Sequence, residues 1–190
     1  MARRRIPSLQ GQFILDGGKL SGSAFHRSVV LVCRHDAKGA FGLVLTHLSG
    51  RALHAALDMD LDLPETLRDL PLARGGPVQP GALSFLVSEP AMLNPNVMPG
   101  LRLGHDPDDL MDLGRAWLPG RKVRVFAGYA GWSPGQLDEE ILRESWICHP
   151  ASLDLVFDAP PDGLWRQILV SRPKWQERIL PDAPENLLSN

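Results

Sequence analysis

The chain has 190 residues, 44% hydrophobic and 22% charged, with a formal net charge of −2. A single domain of this size buries roughly 70% of the surface its unfolded chain exposes, so a real core needs no staple. The balanced charge removes the global cationic attraction on which non-specific nucleic-acid binding draws. No apolar signal core follows Arg3-Arg4-Arg5, and no apolar run approaches the ~20 residues of a membrane helix. With only Cys33 and Cys148 as thiols, the expectation is a cytoplasmic protein with reduced cysteines.

In chain order, Gln12 to Leu15 reads as a short strand, and Gly17, Gly18, Ser21, Gly22 and Ser23 as a loop. Ser28 to His35 is a β-branched apolar run and Phe41 to His47 a second one. The turn residues Asp36 to Gly39 join them into a predicted hairpin with a loop of about four or five residues. Both strands are almost continuously apolar, so both faces should be covered. Arg51 to Leu57 and Pro64 to Leu70 are short helix candidates, and Gly75-Gly76-Pro77 marks a kink or tight turn. Ala82 to Ser88 reads as a strand and Pro90 to Gly100 as a loop. Asp106 as N-cap and Pro107 at the first helical position predict a helix that runs to about Leu113 and stops at Gly114.

Lys122 to Ala127 reads as a strand that Gly128-Tyr129-Ala130-Gly131-Trp132 leaves as a loop. Ser133-Pro134-Gly135-Gln136 fits a capping box, with Asp138, Glu139 and Glu140 complementing the positive helix end. Leu153 to Phe157 reads as a further strand. Asp162 then caps a helix with Trp165, Ile168 and Leu169 as its apolar stripe. The chain is read as one domain over 1–190, with a basic N-terminal arm at 1–8 and a Pro-containing tail at 172–190. Strands and helices alternate without a βαβ rhythm, which predicts an α+β fold with a mixed sheet.

Catalytic and metal constellations are missing from this pattern. Asp58-Met59-Asp60-Leu61-Asp62 resembles the opening of a calcium loop, but Leu63 stands where glycine must make the sharp turn. None of the six histidines has zinc-type spacing to a second ligand. Cys148 and His149 are neighbours whose side chains point to opposite faces of an extended segment. Ser21, Ser23 and Ser28 lie near His26 without a nucleophile elbow. No phosphate loop, dinucleotide fingerprint or other cofactor motif occurs. Arg121-Lys122-x-Arg124 reads as a solvated strand face, and no helix-turn-helix is visible.

Four segments together resemble the YqgE/AlgH family, bacterial proteins of uncharacterised activity. They are Phe25-x-Arg27-Ser28-Val29-Val30, Gly39-Ala40-Phe41-Gly42-Leu43-Val44-Leu45, Gly75-Gly76-Pro77-Val78, and Gly128 through Asp138 with Glu140. The last is long and specific, and the likeness spans about Leu9 to Val170. The resemblance implies an α+β fold whose mixed, mostly antiparallel sheet is bent into a pseudo-barrel with flanking helices. It also implies a role in transcriptional regulation, attached to the family through one branch. The chain departs from the family at Asp16-Gly17-Gly18-Lys19, at Thr46-His47-Leu48, and at Val87, where relatives often carry histidine.

The leading expectation is therefore a binding or regulatory module without cofactor. An unidentified protein partner or small ligand would sit at Gly128, Tyr129, Gly131, Trp132 and Gln136. The glycines would allow close backbone approach and the aromatics would supply flat contact area. An enzyme with a dispersed site is the alternative, requiring His26 or His149 to meet a carboxylate or Cys148. Direct DNA binding would require one basic face built from Arg121, Lys122, Arg124 and the arm.

Overall fold

The computed structural model describes residues 6–57 and 62–173. Arg3-Arg4-Arg5, most of the Asp58 to Asp62 run, Trp175 and the tail beyond Pro173 lie outside the described residues. The apolar runs near the N-terminus form β1 (Gln12–Asp16), β2 (Val29–Asp36) and β3 (Gly39–Val44), all paired antiparallel. Asp36 stands opposite Gly39, so the hairpin turn is only Ala37-Lys38, shorter than expected. Gly39 makes this possible: its φ is +127°, and a Cβ there would lie 2.2 Å from the Trp132 carbonyl oxygen. A bulge between Val32 and Arg34 shifts the register and sets Arg34 opposite Phe41.

Beyond the hairpin come β4 (Leu48–Ala52), helices α1 (Leu53–Ala56) and α2 (Glu65–Arg68), and β5 (Pro71–Arg74). The long strand β6 (Val78–Ser88) precedes β7 (Arg102–Gly104). The strands β4, β5 and β7 are short and interrupted by polar groups, which hid them from the periodicity reading. Helix α3 (Pro107–Arg115) starts as expected, with the Asp106 side chain accepting the Asp108 N–H. It continues through Gly114, because that glycine is where Leu67 of α2 packs: a Cβ there would meet Leu67 at 2.7 Å.

The decisive element is β8 (Lys122–Trp132), 11 residues long. Gly128 to Trp132 is therefore strand, correcting the loop reading. Its first half lies between β5, in parallel, and β6, antiparallel; its second half pairs with β3. The change of partner happens at the glycines. Gly75 donates to Ala127 O at 2.9 Å and accepts from Val44 N at 2.8 Å, so it wedges β3 and β8 apart. A Cβ on Gly75 would lie 2.2 Å from the Gly128 carbonyl oxygen, and one on Gly76 2.2 Å from the Tyr129 carbonyl carbon. Gly128 itself has φ +71°. Two motifs 53 residues apart thus meet backbone to backbone, which only glycine permits.

Helix α4 (Gln136–Leu142) follows, then β9 (Trp146–Pro150) on the outer edge of β1. The capping box forms in half: Gln136 Oε1 accepts the Ser133 N–H at 3.0 Å, while Gly135, left-handed at φ +75°, occupies the N-cap position. Residues Leu153–Phe157 form helix α5, not the expected strand. The Ser152 hydroxyl accepts the Leu155 N–H and nucleates that turn, and a five-residue apolar run alone does not distinguish the two states. Helix α6 (Pro161–Val170) buries Leu164, Trp165, Ile168 and Leu169 as one stripe.

The nine strands form one mixed sheet, antiparallel except for the β5–β8 pair, and its ladder runs from β4 to β9 without closing. The α+β architecture is as expected; the sheet is open. Three apolar clusters cover it. One lies under α5 and α6, one on the opposite face of β1 to β3 around Trp132 and Trp146, and one between β6, β8, α2 and α3. Both faces of the N-terminal hairpin are indeed covered. No helix among the described residues is long and apolar enough to cross a membrane.

Gly75→Ala should destabilise the protein by about 2–4 kcal/mol, since its methyl group meets backbone that cannot move aside. Gly81→Ala, with no atom within 4 Å of the new methyl, should change stability by less than about 0.5 kcal/mol. Urea unfolding of the pair of variants measures both.

Candidate functional site

The strand alternation of β8 sends the residues of the Gly-Tyr-Ala-Gly-Trp segment to different places. Tyr129, half-buried, stacks on Phe41 of β3 with centroids 4.9 Å apart and planes 26° from parallel. Gly131 lies beside that ring; a Cβ there would touch it at 3.1 Å. Phe41 in turn meets the edge of His105 at 5.4 Å. Above this aromatic row opens a cleft of about 590 Å³, bordered by Arg34, Phe41, Gln79, Ser84, His105 and Tyr129 among others. A second cavity of about 270 Å³ shares Arg34, Phe41 and His105 with it.

Trp132 also borders the cleft but is only 7% exposed. Its ring packs against Phe25 and Trp146, and both indole N–H groups donate to Glu140 Oε2, at 2.9 and 2.7 Å. Gly128 serves the backbone crossing, and Gln136 caps α4 and donates to Glu140. Of the five residues singled out from sequence, Tyr129, Gly131 and Trp132 line the cleft; Gly128 and Gln136 do not.

The sequence reading missed Arg34, Phe41, Ser84 and His105. Arg34 reaches the cleft through the β2 bulge, which no pattern announces. Ser84 Oγ lies 2.9 Å from His105 Nδ1, and Phe85 pairs with Gly104 next to them. That contact depends on the unrecognised β7. Burial first, and the Arg34 charge second, push the His105 imidazole below its ordinary value, so it is neutral at pH 7. Gln79 sits at the mouth with φ +44°, a left-handed conformation, where β6 slips register against β8.

The other expected chemistry is dispersed. His26 Nδ1 stands 3.7 Å from Asp16 Oδ2, beyond hydrogen-bond reach. The Asp16 carboxylate instead accepts the N–H groups of Gly18, Leu20 and Arg27 and so shapes the loop that departs from the family pattern. Burial raises the Cys148 thiol, with Arg172 opposing, which keeps it protonated and a poor nucleophile. Val87 is fully buried in the β6 core. No cluster of three or more metal-ligating side chains occurs among the described residues.

The basic run is not a free face. Arg121 is buried and grips Glu89 and the carbonyls of Leu113 and Ala116. Lys122 pairs with Asp158. Arg124 donates to the carbonyls of Val156 and Leu45, and burial lowers it to about 10. The solvated-face reading therefore fails for both arginines: their charges fasten α3, α5 and the β3 end to β8.

A histidine–carboxylate hydrogen bond does form, at an unforeseen pair. His35 Nε2 and Asp138 Oδ2 are 3.2 Å apart. His35 Nδ1 accepts the Leu9 N–H, which places the imidazole proton on Nε2 for Asp138. Asp138 also accepts the Ile6 N–H, so the pair straps the N-terminal segment onto α4 and β2. Asp138 is only 8% exposed, although it stands in the first turn of α4. Burial alone would raise its carboxyl, but the Ile6 N–H and the His35 ring outweigh that and hold it below the ordinary aspartate value.

The AlgH-like family model matches residues 13–173, from the first strand to just past α6. The chain belongs to the AlgH-like family. A UPF0301 protein of Methylococcus capsulatus is 37% identical over 162 residues, covering 84% of this chain and 88% of its own length. One of Chlamydia muridarum is 31% identical over 192 residues, covering 95% of each. Among solved structures, the AlgH protein of Pseudomonas aeruginosa superposes with a TM-score of 0.70 at 25% identity, covering 100% of this chain and 97% of that one. A Corynebacterium diphtheriae protein, at 22% identity and TM-score 0.69 over 95% of both chains, shares the fold.

Asp138→Asn should cost about 1–2 kcal/mol at pH 7 through the lost charged hydrogen bonds. Because the folded carboxyl lies below its unfolded value of about 4, its contribution is present above that pH and disappears as pH falls through the folded value. Urea titrations at pH 7 and pH 3 should show the wild type and the variant converging in acid.

Proposed function

We propose that this AlgH-like chain is a cytoplasmic binding module whose cleft takes a small planar molecule bearing a negative charge. The observation that carries the reading is the unspent cation beside the aromatic row. The Arg34 side chain is exposed and, among the described residues, has no ion pair or hydrogen bond, unlike those of Arg121, Lys122 and Arg124. Tyr129 and Phe41 offer a flat apolar floor in the same cleft, and His105 and Ser84 add polar partners. A concavity that combines aromatic side chains with a few convergent polar groups is a common form of small-ligand site. A ring would lie on the Tyr129–Phe41 floor while its carboxylate or phosphate forks onto Arg34. Regulation, the role implied by the resemblance, would then act through ligand occupancy and not through a basic DNA-binding face.

Ligand-observed NMR with 4-hydroxybenzoate and its neutral amide tests this. The acid should bind, Arg34→Ala should weaken it about tenfold while leaving the amide unchanged, and Tyr129→Ala should weaken both. Equal affinity of acid and amide, or binding untouched by either substitution, would refute the reading.

A further inference from the structure

We propose that Ser84 and His105 form an acyl-accepting pair, making the same cleft a site of ester chemistry with small aryl esters. The proposal rests on the cleft reading for which substrates are drawn in, but not for the reactivity itself. The pair is held by the core. Phe85 is fully buried and opposite Gly104, whose missing side chain leaves room for the Phe85 ring: a Cβ there would lie 2.2 Å from it. That lock fixes the neighbouring hydroxyl and imidazole at 2.9 Å, within reach for proton transfer. His105 is braced edge-on by Phe41, and Ser84, although only 2% exposed, borders the cleft.

The chemistry balances without any further reagent than water. With its proton on Nε2, the imidazole takes the Ser84 hydroxyl proton at Nδ1 as Oγ bonds to the ester carbonyl carbon. The tetrahedral adduct collapses, the bond to the aryl oxygen breaks, and the imidazolium returns the proton to the departing phenol. Water then attacks the acyl-serine with His105 again as base, releasing the acid and restoring the hydroxyl. The lowered imidazole keeps the base form present at neutral and mildly acidic pH. Arg34, already argued to draw in the anion, biases the site toward aryl esters that carry a carboxylate.

The test uses the whole chain with 4-acetoxybenzoate and neutral phenyl acetate, followed by phenol release and by intact and peptide mass spectrometry. The expected result is one acetyl group on Ser84 and faster reaction of the anionic ester. Ser84→Ala and His105→Gln should each slow the reaction about 100-fold or more while urea unfolding shows both variants folded. The rate should rise with pH and be half-maximal below 6.5, the ordinary imidazole value. Phenol release or acetylation that survives Ser84→Ala would overturn the proposal. So would binding of 4-acetoxybenzoate with no acetyl transfer, an outcome that leaves the binding reading standing. Equal rates for both esters, still abolished in Ser84→Ala, would support the pair and remove the anion preference.

Discussion

The fold hangs on one close contact between two stretches of backbone. Where Gly75-Gly76 crosses Gly128-Tyr129, no side chain fits, and the crossing lets one long strand serve two parts of the sheet. Gly75 hydrogen-bonds to β3 on one side and β8 on the other. Past that point β8 rejoins β3, and Tyr129 falls onto Phe41. The aromatic floor of the cleft is thus a consequence of the crossing. The glycines are structural first, and they shape the site by deciding where the neighbouring side chains go.

Electrostatics divide the molecule in a telling way. Most of its internal charges are committed: Arg121 to Glu89, Arg124 to backbone carbonyls, Asp16 to three N–H groups, Asp138 to His35 and Ile6. Among the described residues the Arg34 side chain has no such partner, and it borders the cleft together with Phe41 and Tyr129. Buried arginines whose donors are filled contribute shape and stability, whereas the planar fork of an exposed guanidinium can still take a carboxylate or phosphate bidentately.

Much of this fold was legible because apolar periodicity reports burial. The β2–β3 hairpin, the α3 cap at Asp106 and the stripe of α6 all follow from side-chain pattern and turn chemistry. Leu153 to Phe157 was misread because five residues hold too little periodicity. Gly128 to Trp132 was misread because glycine signals both a loop and a close strand crossing, and only the distant Gly75-Gly76 decides between them. The cleft was half legible. Tyr129 and Gly131 announced themselves, whereas Arg34, Ser84 and His105 come together through a bulge, a register shift and a three-residue strand. Those are properties of pairing, not of any local run of residues.

The central claim is that the aromatic row and the Arg34 guanidinium receive a planar anion. A crystal structure of the protein with 4-hydroxybenzoate addresses it directly. The account predicts a ring lying against Tyr129 and Phe41 with its carboxylate hydrogen-bonded to Arg34. A ligand seated elsewhere, or an Arg34 side chain folded onto a protein carboxylate with the cleft closed, would contradict it.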